Sequence, residues 1–222
     1  MKNRIKIVFI FFLLSGSYAY SQVQKDAVFW LSFNVEKKIN KRFSATFFNQ
    51  NSFNQNLNEL GSFFGDLGLS YKLNKHIAIA GNYRFVKARN LDNFYNDVQR
   101  LYTDLTFSKG YHKFYFQFRS RLQGQMYGLN YSDPYKADKN FIRNKVIIRY
   151  NLNGNYSLHA GAEQFLRLNH INKSQAYRFD IGLTYKINLR NRIDFYYMNQ
   201  FLINTKYPRI DFIYGVTYSF KF

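Results

Sequence analysis

Cysteine is absent from this 222-residue sequence, which excludes both disulfide bonds and thiolate metal sites. Only two prolines, Pro134 and Pro208, and one tryptophan, Trp30, occur. No run of about 18 apolar residues is found, so a membrane protein built from helices is excluded. Acidic residues are also few, with 13 Asp and Glu against 32 Lys and Arg and a net charge of +19. Such a balance predicts an anionic partner, which could be nucleic acid, an acidic lipid surface or an acidic solute.

The first 21 residues have the features of a secretory signal peptide. Three basic residues precede an apolar core at residues 7–14, and the small residues Ala19 and Ser21 stand before Gln22. The core is too short to cross a bilayer, which makes an N-terminal anchor helix the weaker alternative. We therefore predict a signal peptide over residues 1–21, and the export that it directs argues against nucleic acid as a partner.

Aromatic residues are abundant, with 20 Tyr and 25 Phe, yet the mean hydropathy is −0.42. The C-terminal stretch IDFIYGVTYSFKF (210–222) shows how a sequence rich in aromatic residues can have a negative mean hydropathy. Apolar and polar residues alternate strictly in it, with the period of a β-strand. It is longer than a soluble strand of about 5–6 residues and is closer to the roughly 9–11 residues of a tilted membrane strand. Eleven stretches have this period: 27–36, 42–51, 60–73, 76–87, 98–108, 112–122, 141–152, 156–167, 175–188, 192–203 and 209–222.

Short polar turns alternate with longer polar loops between these stretches, which is the layout of an outer-membrane barrel with its turns in the periplasm. The sequence therefore predicts an all-β protein with one domain, residues 22–222, folded as an antiparallel transmembrane β-barrel of 10–12 strands. A secreted or periplasmic β-sandwich is the alternative. Bacterial single-chain barrels have even strand counts. The odd count thus predicts either that residues 22–36 thread the lumen or that one segment is miscounted.

The segments GLSYKLNKHIAIAGNYRF, NFIRNKVIIRYNL, YRFDIGLTYKI and DFIYGVTYSFKF together resemble the family known as domain of unknown function 2490. The resemblance covers essentially the whole chain after the signal peptide. It implies an outer-membrane β-barrel of a Gram-negative bacterium and offers no catalytic residues. The terminal Phe222 likewise resembles the last residue by which barrel proteins are handed to the outer-membrane assembly machinery.

In a membrane barrel the apolar face of each strand contacts lipid and the polar face contacts the lumen. By this parity the residues expected to face lipid are Leu69, Tyr71, Phe114, Phe116, Phe118, Phe179, Ile181, Phe212 and Tyr214. The basic residues expected to line the lumen are Arg84, Arg100, Lys113, Arg119, Arg121, Arg143, Lys145, Arg149, Arg167 and Arg178, with Lys186 at the same parity. Fewer acidic residues share the inward parity, namely Asp66, Asp104, Glu163, Asp180, Asp194 and Asp211.

This surplus of inward positive charge leaves two functions open. One is a small pore that prefers anionic solutes such as acidic oligosaccharides. The other is a structural or interaction barrel, whose facing charges pair across strands and close the lumen, so that the outer loops carry the function. The partners expected in either case are outer-membrane lipid, lipopolysaccharide and the assembly machinery, with no nucleic acid.

An enzymatic function is the least favoured reading. Ser157, His159 and Glu163 share the inward face of one stretch, an arrangement that does not match a barrel lipase, in which Ser and His lie on neighbouring strands at the outer wall. The four histidines are scattered and lack the spacing of a metal site. We therefore expect no catalytic residues, no metal and no cofactor.

Overall fold

The computed structural model describes residues 23–89, 94–127, 139–169, 173–205 and 208–222. The signal peptide predicted for residues 1–21 and the loop proline Pro134 lie outside the described residues. The described chain forms eleven strands, β1 to β11, which span Gln24–Lys38, Phe43–Asn54, Glu59–Lys72, Ile77–Arg89, Tyr95–Tyr111, Phe114–Tyr127, Lys139–Asn151, Tyr156–Arg167, Lys173–Lys186, Asn191–Leu202 and Arg209–Lys221.

No helix in the described parts of the chain is long and apolar enough to cross a membrane.

The strands form one closed barrel in which each strand pairs with the next along the chain. The alternation of side chains decides which residues face outward. In β6, for example, Phe114, Phe116 and Phe118 are exposed on the outside. Arg121 and Gln123 of the same strand are buried inside the barrel. The all-β barrel predicted from the sequence is therefore confirmed.

The barrel closes through a parallel pair. All other neighbours are antiparallel, but β1 and β11 run in the same direction, in register from Gln24 with Arg209 to Glu36 with Lys221. This follows from the strand number, because an odd number of up-and-down strands leaves the first and the last pointing the same way. Both expectations for the odd count were wrong: residues 24–38 form a wall strand, and eleven segments is the correct number.

Four of the five short turns have the same local structure. Each contains Ile or Leu followed by an asparagine, and the asparagine Oδ1 accepts hydrogen bonds from the backbone N–H groups two and three residues later, at 2.8–3.0 Å. Together with backbone hydrogen bonds such as those from the N–H groups of Ile39 and Asn40 to the Phe43 carbonyl, at 3.0 and 3.2 Å, these side-chain bonds stabilise a tight turn. The residues are Asn40, Asn74, Asn153 and Asn188.

The fifth short turn corrects one predicted lumen residue. Strand β5 continues to Tyr111, and β6 begins at Phe114, so the turn consists of His112 and Lys113 alone. His112 has a φ of 51°, a left-handed conformation that allows a two-residue hairpin turn. Lys113 is therefore an exposed turn residue and does not line the lumen.

The loop between β2 and β3 is also shorter than the sequence predicts. Only residues 55–58 connect the two strands, because Gln55, Asn56 and Leu57 all have positive φ values, of 53°, 55° and 72°. The carboxylate of Asp26 in β1 accepts hydrogen bonds from the backbone N–H groups of Gln55 and Asn56, at 3.2 and 2.9 Å. Residues 55–58 thus form a compact turn at the rim.

Candidate functional site

The outward face carries every residue predicted to contact lipid. The predicted set of Leu69, Tyr71, Phe114, Phe116, Phe118, Phe179, Ile181, Phe212 and Tyr214 lies on the outside of the wall, at the parity of its exposed apolar side chains. Leu69 and Ile181 leave 51% and 60% of their surface exposed. Contact of this surface with lipid stays a prediction.

The inward face carries all the predicted basic residues except Lys113. Lys186 keeps the inward parity at the end of β9, although it is exposed at the rim of short turns. Two further inward arginines, Arg192 in β10 and Arg209 in β11, were missed. Their positions follow from the same alternation, but each stands at a strand end, where the parity is hardest to assign. The inward predicted residues are Arg84, Arg100, Arg119, Arg121, Arg143, Lys145, Arg149, Arg167 and Arg178.

Acidic side chains of the interior are held by basic side chains from other strands. Arg84 lies 2.6 Å from Asp66, which also accepts a hydrogen bond from the Tyr102 hydroxyl. Arg121 donates two hydrogen bonds to Asp104, at 2.6 and 2.7 Å. These pairs are mostly buried, so their charges are screened little by solvent.

A third pair joins β7 to β9 and reaches over β8. Lys145 Nζ lies 3.0 Å from Asp180 Oδ1, although these strands are not neighbours. The Asp180 carboxylate passes above Gly161 of β8, where a Cβ atom would overlap it. The glycine therefore makes room for the long contact.

Glu163 of β8 is the acid with the most basic partners. It is 5% exposed, and one of its oxygens contacts Arg119 at 2.5 Å and Arg143 at 3.0 Å. Its second oxygen lies 3.8 Å from Arg178. We call the four acids and their close partners the ion-pair belt, which consists of Asp66, Asp104, Glu163, Asp180, Arg84, Arg119, Arg121, Arg143 and Lys145.

Some inward cations have no carboxylate of their own. The Nε of Arg100 donates a hydrogen bond to the side-chain oxygen of Gln125 at 2.8 Å. The positive charges of Arg84 and Arg178 repel that of Arg100. Arg149 likewise faces Arg192. Neither Arg100 nor Arg149 forms an ion pair with an acidic residue in the described ranges. Positive charge therefore remains uncompensated on both sides of the belt.

The interior contains a cavity of about 420 Å³ toward the end of the barrel where the longer loops connect the strands. We call it the loop-side cavity. Asn54, Ser62 and Ala88, which lie near the loop ends of β2, β3 and β4, line its entrance side. Its basic residues other than Arg209 form a cationic wall on β4 to β9, made of Arg84, Arg100, Arg119, Arg121, Arg143, Lys145 and Arg178.

The opposite side of this cavity carries apolar side chains among neutral polar ones such as Gln50, Ser52 and Gln200, and the parity argument did not foresee the apolar ones. Val28, Met198 and Ile213 are buried together inside the barrel, and Phe64, Val86 and Val98 form a second cluster. The signal was present in the sequence, since these residues interrupt the polar parity of their strands. The apolar wall of the cavity lies on β10, β11 and β1 to β4 and consists of Val28, Trp30, Phe48, Phe64, Val86, Ala88, Met198 and Ile213.

A second, smaller cavity of about 220 Å³ lies toward the short turns. It is lined by Tyr115, Arg149, Asn151, Ser157, Thr184, Lys186 and Arg192. None of these described residues also lines the loop-side cavity. His159, Asp180 and the Tyr196 ring, which lies against Gly215, hold the inward positions between the two sets of lining residues.

The histidine considered for catalysis lies among carboxylates. His159 Nε2 is 3.8 Å from Asp180 and Nδ1 is 3.6 Å from Asp194, distances of ion pairs and not of hydrogen bonds. The hydroxyl of Ser157 is buried and has no hydrogen-bond partner among the described residues, so it is not joined to a base. In the same residues, no group of three or more metal-ligating side chains could hold an ion.

The fold and the interior define a closed β-barrel with an apolar outer surface and a charged, largely ion-paired lumen. Within that class, the chain belongs to the family described as "Protein of unknown function (DUF2490)", which matches residues 27–210. The resemblance drawn from the sequence is thereby confirmed.

Two solved structures are similar to the chain at low identity. The outer-membrane expressed OmpT of Vibrio cholerae is 11% identical, with a TM-score of 0.41, and the alignment covers 71% of this chain and 53% of that one. The CymD monoaromatic hydrocarbon channel is 10% identical, with a TM-score of 0.45 and coverages of 74% and 66%. The chain thus spans about half of the first protein and 66% of the second. No curated protein matches the chain.

Proposed function

We propose that the protein is an outer-membrane barrel of a Gram-negative bacterium whose lumen accepts small anionic solutes from the loop side. The outer surface supports the membrane location, because exposed Leu, Ile and Phe side chains surround the barrel, and such a surface is costly in water.

One observation carries the anionic preference. The cationic wall of the loop-side cavity holds more basic than acidic side chains, and Arg100 has no carboxylate partner among the described residues. Buried charge without a counter-ion is costly. An anion from solution that binds beside Arg100 and Arg178 would remove this cost, which favours anions over cations in the lumen.

Ion selectivity across a planar lipid bilayer tests the proposal. We expect any current through the purified protein to be carried mainly by anions, because fixed positive charges concentrate counter-ions within a Debye length of about 8–10 Å. Replacing Arg100 and Arg149 by Gln should lower the anion-to-cation permeability ratio, since neither residue holds a belt acid in place. The substitution Lys87→Gln is the matched control, because it removes a cation from a partly exposed pair with Asp97 at the rim, outside the lumen. Cation selectivity in the unmodified protein would contradict the proposal.

A barrel that conducts nothing is the second candidate, and the separation of the two cavities favours it. His159, Asp180 and Tyr196 lie between them, so passage requires these side chains to rearrange. If no current appears in any salt, the lumen is sealed, and the function belongs to the outer loops.

A further inference from the structure

The basic and the apolar residues that line the loop-side cavity lie on different sets of strands. Its basic residues lie on β4 to β9, apart from Arg209, and its apolar residues lie on β10, β11 and β1 to β4. Because strands are arranged in order around a closed barrel, these two sets form facing walls. A ligand between them meets positive charge on one side and, on the other, hydrocarbon interspersed with neutral polar side chains such as those of Gln50, Ser52 and Gln200.

The exception does not disturb this division. Arg209 lies 2.9 Å from Asp211 on the apolar side, and Asp211 also accepts a hydrogen bond from Gln200 at 2.6 Å. This pair is neutral as a unit. The net charge of the cavity is therefore confined to the cationic wall.

We infer that the loop-side cavity binds an amphiphilic anion, a molecule with a carboxylate or similar anionic head and a short hydrocarbon body. This inference rests on the proposed anion-accepting lumen and specifies its ligand class. A purely polar acidic solute would leave Val28, Val86 and Met198 against polar groups and would gain nothing from them. The volume of about 420 Å³ is within the range of small-molecule sites, which is roughly 300–1,000 Å³.

Trp30 marks the boundary between the two walls. Its indole N–H donates to Ser52 Oγ at 3.0 Å, and the Arg178 guanidinium carbon lies 5.4 Å from the ring centroid. A head group that binds Arg178 would disturb this cation–π contact, and a hydrocarbon body would pack beside the ring. Because Trp30 is the single tryptophan of the sequence, its fluorescence reports this cavity alone.

The test is a set of titrations followed by Trp30 fluorescence, with the full-length mature protein in lipid vesicles at constant ionic strength. The probes are hexanoate, acetate, glucuronate and hexylammonium. We expect saturable binding of hexanoate about tenfold tighter than that of acetate or glucuronate, because each buried methylene adds affinity. Hexylammonium, which has the same hydrocarbon body and the opposite charge, should give no saturable signal.

The outcomes separate this inference from the proposed function. If glucuronate binds as tightly as hexanoate, the lumen accepts anions, but the amphiphilic ligand class is wrong. If hexylammonium binds as tightly as hexanoate, or if no anion gives a saturable signal, both proposals fail.

Two variants assign the binding to its walls. Arg100→Gln should weaken the binding of hexanoate and glucuronate alike, whereas Val86→Thr, which keeps the side-chain shape but replaces one methyl group with a hydroxyl, should weaken the binding of hexanoate alone. An equal loss for both anions in Val86→Thr would overturn the role of the apolar wall. The comparison of probes on the unmodified protein does not depend on either variant folding.

Discussion

Glu163 is the residue on which much of the interior electrostatics depends. Arg119, Arg143 and Arg178 all direct their guanidinium groups toward it from three different strands. No other described acidic residue has three arginines within ion-pair distance. Loss of this carboxylate would leave mutually repelling cations in a narrow space.

Substitution Glu163→Gln should therefore destabilise the barrel strongly. Removing one partner of a buried ion pair costs about 3–5 kcal/mol, and here one acid serves several bases. Urea unfolding in lipid vesicles, followed by Trp30 fluorescence, measures the change. Asp97→Asn is the matched control, because its pair with Lys87 is about one-third exposed, and such pairs contribute about 0–1 kcal/mol. Equal losses in the two variants would show that the belt contributes little.

At the scale of the strand, alternation alone predicted most of the wall. It placed Arg119, Arg121 and Phe116 on the correct faces because an extended chain turns its side chains to opposite sides at every residue. It failed for Lys113, where the left-handed His112 shortened the turn, since a backbone angle at one residue leaves no periodic trace. It also could not show which inward charges meet, such as Lys145 with Asp180, because that contact crosses an intervening strand at Gly161.

Strand faces can be tested by the same charged substitution on each side. Ile181→Arg, at an exposed outward position in the middle of β9, should cost roughly 2–4 kcal/mol if that surface lies in the bilayer core. Thr217→Arg should cost less, because Thr217 faces inward opposite Asp194, which can pair with the new charge. Folding yields and urea unfolding in vesicles compare the two, and equal costs would contradict a lipid-facing outer surface.

Gly182 is a poor inward control for this experiment. A Cβ atom there would overlap the His159 ring and the backbone carbonyl of Phe195. Any substitution at Gly182 would therefore mix steric overlap with the effect of charge.

The whole molecule is closed by the parallel pair of β1 and β11. Its hydrogen bonds continue to the end of the chain, where the backbone N–H of Phe222 donates to the Glu36 carbonyl at 2.9 Å and Lys221 Nζ contacts the Glu36 carboxylate at 2.8 Å. The predicted assembly signal at Phe222 thus stands beside the seam that closes the barrel, and its recognition by the assembly machinery stays a prediction.

An odd number of strands also separates the two ends of the wall. Strand β1 begins at the loop rim, and β11 ends at the rim of short turns, so a barrel height lies between Gln24 and Phe222. An epitope tag inserted just before Gln24 should be reached by antibody on intact cells, whereas a tag at Leu189, in the short turn on the rim where β11 ends, should be reached only once the outer membrane is opened. Tags that become accessible together would refute the parallel seam. In an even-stranded barrel the first and last strands end at the same rim, so a short peptide linker can join them in a circular permutant. Here a short linker cannot join the two ends, because they lie at opposite rims. A circular permutant of this chain would need a linker as long as the barrel is high.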